Sequence, residues 1–180
     1  MLCRTRIHLA LAAALSLAGA ASCTTDQMTA PRPADRAALL SLSPVSGSSL
    51  ISCPAGNSQS ATSVIGPLGG VLAAGNTRVV IPANAVLAPT AFTLSVPSSK
   101  YVEIEVTAGG SEHFVFALPV TVTLDYGRCS RSDLDKAPLS AWNIDPATKA
   151  LLEAMVSVDD KVARTVTFST IHFSGYAVAD

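Results

Sequence analysis

Charge is scarce in this chain. Of 180 residues only 12 are basic and 13 acidic, and nowhere do like charges gather into a block or a basic cluster. A protein that grips nucleic acid or an anionic surface needs a concentrated positive face, so nucleic acid is excluded as a partner. Long apolar runs are also missing, because every apolar stretch is interrupted before the ~18 residues needed to cross a bilayer. There are three histidines, His8, His113 and His172, none with the spaced Cys or His companions of a zinc site. No Gly-x-Ser-x-Gly elbow occurs, and no aspartate neighbours a histidine in sequence. The glycines from Gly66 to Gly75 lack the Lys-Ser/Thr of a phosphate loop and read as turns. Asp133-Leu-Asp135 hints at a calcium loop, but Pro138 stands where glycine is needed and no glutamate closes it. The expectation is therefore no metal, no cofactor and no catalytic activity.

What is present begins at the N-terminus. Arg4 and Arg6 form a short positive region, Ile7 to Ala20 runs apolar, and the small residues Ala20, Ala21 and Ser22 lead into Cys23. This is the layout of a secretory signal, and Ala-Ala-Ser-Cys resembles the lipobox of bacterial lipoproteins. The resemblance implies cleavage before Cys23, with lipid carried on its thiol. Thr24, rather than Asp, follows the cysteine, which in enteric-type lipoproteins implies export to the outer membrane. The plainer alternative is an ordinary signal that happens to precede a cysteine. The expected location is the cell envelope, lipid-anchored at the outer membrane or cell surface.

Removing residues 1–22 leaves 158 residues, enough for one domain with a real core. Losing Arg4 and Arg6 leaves ten basic residues against 13 acidic, a net charge of −3. Cys3 departs with the signal and Cys23 carries lipid, so Cys53 and Cys129 remain. Outside the cytoplasm two remaining thiols pair more often than not, although spacing alone leaves the unpaired alternative open. Residues 23–60, rich in Ser, Ala, Pro and Gly, read as a flexible tether, with a short strand near Leu50 if Cys53 is bridged.

Residues 61–180 change to short β-type runs. Thr77–Ile81, Phe92–Val96, Tyr101–Val106 and Val120–Leu124 alternate or are β-branched. Leu139–Ile144, Ala154–Val158, Val166–Thr170 and Tyr176–Val178 continue the series between turn signals, and only Ala147–Ala154 has a helical flavour. Eight or so strands without intervening helices predict an all-β, antiparallel β-sandwich.

Three motifs in series, Gly66-Pro-Leu-Gly-Gly-Val-Leu72, Val79-Val-Ile-Pro-Ala-Asn-Ala-Val86 and Phe92-Thr-Leu-Ser-Val96, resemble the start of a ZU-five domain. This is the module shared by zonula occludens proteins, netrin receptors and ankyrins, with bacterial relatives on exported proteins. Phe116–Leu124, Trp142 and His172-Phe-Ser-Gly-Tyr-Ala-Val178 fit its later portions, so the likeness spans about residues 63 to 179. Asn84 replaces the usual Gly, a mild departure because Asn tolerates positive φ.

The resemblance also singles out His172-Phe173-Ser174, since some ZU-five proteins cleave themselves between Phe and Ser in such a tripeptide. The serine hydroxyl would attack the preceding carbonyl, and the resulting ester would be hydrolysed with histidine assisting. Against this, the same residues suit a core Phe173, an outward His172 and a bulge at Ser174-Gly175. A cut would release only residues 174–180, read as an edge strand. Trp142, Tyr101, Tyr126 and Tyr176 could form a sugar-stacking platform, with core packing the expected role of Trp142 and Tyr176. The expected function is thus a structural or protein-interaction module, its partners being membrane lipid through Cys23 and an envelope protein or glycan. Self-cleavage and glycan binding are the alternatives.

Overall fold

The computed structural model describes residues 48–134 and 138–180. The signal segment, Cys23, the tether up to residue 47 and Asp135 lie outside the described residues. Eleven strands follow along the described chain: β1 (Gln59–Ile65), β2 (Gly70–Ala74), β3 (Thr77–Ile81), β4 (Thr90–Val96), β5 (Glu103–Ala108) and β6 (Phe114–Asp125), then β7 (Ser140–Ile144), β8 (Leu151–Ala154), β9 (Ser157–Asp160), β10 (Thr165–Phe173) and β11 (Gly175–Ala179). One helical turn, α1 (Arg131–Leu134), precedes β7.

The strands build two antiparallel sheets, ordered β1-β4-β5-β11-β7-β8 and β2-β3-β6-β10-β9. Alternation decides which face is buried. In β3, Thr77, Val79 and Ile81 turn inward while Arg78 and Val80 face out. Four phenylalanines from both sheets meet in the core: Phe116 lies 4.5 Å from Phe173 and 4.9 Å from Phe114, ring centre to ring centre, and Phe92 lies within 5.8 Å of the other three. The fold is the all-β sandwich expected from the strand pattern.

Several details depart from the expectations. Within residues 23–60, read as tether, Ser49 to Cys53 are joined to the body: with Cys53 bridged, Leu50 pairs with Ala179 and Ser52 with Tyr101, the short pairing expected near Leu50. Ile51 N donates to Val178 O, Cys53 N donates to Lys100 O, and Ile51 is buried.

Ala147–Ala154 is not helical. Asp145 accepts amide hydrogen bonds from Ala147 and Thr148, both 2.8 Å, which starts a turn that looks like a helix start. Lys149 then adopts φ 62°, and Asp145 N bonds Ala150 O, closing a hairpin that sends β8 back along β7. The run Ala154–Val158 is two strands, because the chain changes sheet at Met155-Val156.

β11 is not an edge strand. It lies between β5 and β7 and is buried at every residue, Gly175 to Ala179. Tyr176 and Val178 enter the core. Gly175, Ala177 and Ala179 point the other way, and Gly175 must be small because a Cβ there would stand 2.9 Å from Pro146 Cγ of the β7–β8 turn. Trp142 follows the same logic: Ala141 and Asn143 face inward, so Trp142 stands half-buried on the outer face, opposite Ala177 and Ala154.

Candidate functional site

Cys53 and Cys129 form a disulfide across a separation of 76 residues, with Cα atoms 4.7 Å apart. Both are buried, and arginines brace the loop around them. Arg128 donates to the carbonyls of Pro54, Ser99 and Tyr101. Arg164, held at φ 58°, donates to those of Gly127 and Cys129. Guanidinium groups suit this task, since one planar fork can satisfy several carbonyls at once. Sequence reasoning missed both arginines, because their partners are backbone atoms far away in the chain.

The His172-Phe173-Ser174 tripeptide lies where the chain leaves one sheet for the other. β10 ends at Phe173, Ser174 makes the crossing and β11 starts at Gly175. Phe173 is 1% exposed in the phenylalanine cluster. The Tyr176 hydroxyl donates to His172 O at 2.7 Å and lies 3.2 Å from His172 Nδ1 and 3.0 Å from Thr170 Oγ1. Having one proton, already given to that carbonyl, it is placed to accept from Nδ1. Burial holds the Tyr176 hydroxyl above its usual pKa.

Ser174 Oγ accepts from Asn143 Nδ2, while Oγ and the Gly175 carbonyl lie 3.5 Å apart. The Tyr176 hydroxyl also meets the side chain of Ser174, so the histidine and the serine of the tripeptide share it as a neighbour. Ser174 shares a recess of about 30 Å³, room for about one water, with His113, Glu105 and Glu112. No described hydrogen bond joins His113 to Ser174; its backbone bonds Ser111 instead.

The aromatic residues do not gather. Tyr126 is 1% exposed, and its hydroxyl donates to Asp159 Oδ1 at 2.7 Å, so its ring has no face for a sugar. Its pKa is driven up by burial and by that hydrogen bond. Tyr101 is half-buried with Lys100 Nζ 5.0 Å from its ring centre. Tyr176 is in the core as expected, whereas Trp142 is on the outer face. Among the described residues no group of His, Cys, Asp and Glu is arranged to hold a metal, and Asp133 belongs to α1.

An apolar groove lies at one end of the sandwich. The turn Gly66–Gly69 and the loop Pro82–Pro89 are zipped together there: Asn84 N donates to Pro67 O, with Asn84 at φ 66°. Asn thus takes the left-handed position that glycine would fill. Leu68 is 93% exposed, Leu87 79% and Val115 72%. Beside them runs a groove of about 460 Å³ lined by Ala85 to Ala88, Thr90 and Phe114 to Ala117. The segment Ser49–Cys53 joins the opposite end, beside Lys100 and Asp180.

No family model matches the chain, and no curated protein matches it.

Proposed function

We propose that the chain is a membrane-anchored, extracytoplasmic lipoprotein whose ZU-five-like sandwich acts as a protein-interaction module. One observation carries the interaction part of this reading: three large apolar side chains and an apolar groove crowd the end of the domain opposite the incoming tether. Soluble surfaces gather such patches mainly where something docks. The buried disulfide supports an oxidising compartment, and the lipobox residues Ala20 to Cys23 support the anchor.

The test is crosslinking in intact cells followed by fractionation. The wild-type chain is expected in the membrane fraction, joined to an envelope protein; Cys23→Ser should leave the membrane, and Leu68→Glu with Leu87→Glu should lose the partner while keeping the anchor. Unchanged retention of Cys23→Ser sinks the lipid anchor, and crosslinks indifferent to the two glutamates sink the docking end. A denatured intact mass from the same preparations also reads cleavage, because β11 would stay in place between β5 and β7 after a cut. Loss of residues 174–180 would replace the interaction reading with self-processing.

A further inference from the structure

An edge strand leaves half its N–H and C=O groups ready for another strand, and proteins blunt such edges with charge, proline, brevity or bulges. The two sides of this sandwich differ in that respect. On one side the edges are β8 and β9, each four residues long. They carry Glu153, Asp159 and Asp160, and the β7–β8 register shifts between Asn143 and Ile144. On the other side the edges are β1 and β2. β1 is seven residues long and pairs with β4 in unbroken register from Gln59↔Val96 to Ile65↔Thr90. It holds neither proline nor charge, and no charged residue stands anywhere between Arg36 and Arg78. Val64 on β1 is 69% exposed, and Val71 on β2 is 56% exposed. Among the described residues nothing pairs with the outer edge of β1.

We propose that this edge pairs with β1 of a second copy of the chain, antiparallel and centred on Thr62, joining two six-stranded sheets into one. The proposal goes beyond the docking end at Leu68 and Leu87: it names a second surface, with its own partner. A twofold axis through Thr62 sets Thr62 against itself, Ala61 against Ser63, Ser60 against Val64 and Gln59 against Ile65. None of these pairs repeats a charge, and the central Thr62-Thr62 pair is of a kind that is favourable across strands. Self-pairing requires a patch that does not repel its own image, and β1 meets that requirement. On β9 the exposed carboxylate of Asp160 would stand at such a joint in both copies. The chain's own residues 37–47 are also uncharged, but Ala-Ala-Leu-Leu at their start and Pro44 near their end make a poor strand.

The full-length chain with Thr62→Cys, mildly oxidised in the cells that make it, is expected to give a covalent dimer of twice the chain mass. Thr121→Cys, exposed on the central strand β6 of the other sheet, should stay monomeric. In purified full-length protein, Thr62→Lys should lower the dimer fraction at least tenfold by light scattering without changing the circular dichroism spectrum. A dimer that ignores Thr62→Lys overturns the proposal, as does a monomer by both measurements, the result expected if residues 37–47 cover β1. Crosslinking of Thr62→Cys to a different protein overturns self-pairing and leaves the interaction reading standing. No protein captured at Thr62 or at the Leu87 end overturns both.

Discussion

At the scale of single residues, Asp159 shows how much depends on one carboxylate at an edge. Its side chain is largely buried and accepts from Tyr126 Oη, from the Leu139 amide at 2.9 Å and from Lys161 Nζ at 2.9 Å. Burial pushes its pKa up, but the hydrogen bonds from Tyr126, Leu139 and Lys161 outweigh that and hold it below the ordinary 3.8. A depressed carboxylate adds stability that is present above 3.8 and is lost as pH falls through the lower, folded value. Asp159→Asn should therefore cost about 2 kcal/mol at neutral pH, the range for hydrogen bonds to a charged group. The gap between variant and wild type should close as pH drops below the carboxylate range. Urea titrations across that range check this, and a gap that persists unchanged in acid would show that shape, not charge, holds the site. Nothing in the sequence marked Asp159, since Tyr126, Leu139 and Lys161 are brought to it only by the packing of the two sheets.

At the scale of elements, much of the strand pattern was legible because alternation and β-branching are local signals. Thr77–Ile81 falls where expected, and Phe92–Val96 and Val166–Thr170 lie inside β4 and β10. What was not legible depends on partners far along the chain. β11 reads as a terminal edge but is inserted between β5 and β7 and is buried throughout. Trp142 reads as core, yet register with β11 turns it outward. Glycines divide the same way. Gly69 and Gly110 both adopt positive φ, 74° and 82°. A Cβ on Gly69 would stand 2.4 Å from Ile81 O, whereas one on Gly110 would meet nothing within 4 Å. Gly110→Ala should cost about 1 kcal/mol, the left-handed penalty alone. Gly69→Ala should cost about 3 kcal/mol, because the turn must also move off the Ile81–Pro82 backbone. Denaturant midpoints compare the two, and equal losses would mean that the Gly66–Gly69 turn yields freely.

At the scale of the whole molecule, the bridge between Cys53 and Cys129 decides how firmly the entry segment belongs to the sandwich. From Ser49 to Cys53 the chain is held by a few backbone bonds, by Ser49 to Asp180 and by the buried side chain of Ile51. Such a short strip makes a marginal strand without a covalent tie. The bridge closes a loop with a separation of 76 residues, which in the chain-entropy view stabilises the fold by about 4 kcal/mol. It also fixes Pro54 where its carbonyl meets Arg128. Replacing Cys53 and Cys129 together with Ser should lower stability by about that amount. The loss should be uneven in space: amide exchange at Ile51 and Cys53 should quicken well before that of the β6–β10 ladder, which has its own core. Uniform quickening would show that the segment and the sandwich unfold as one unit even without the bridge. Undiminished stability would show that the arginine-held loop suffices. The uneven outcome is expected because the phenylalanine cluster, which contains neither cysteine, is packed at the far end of the domain from the bridge.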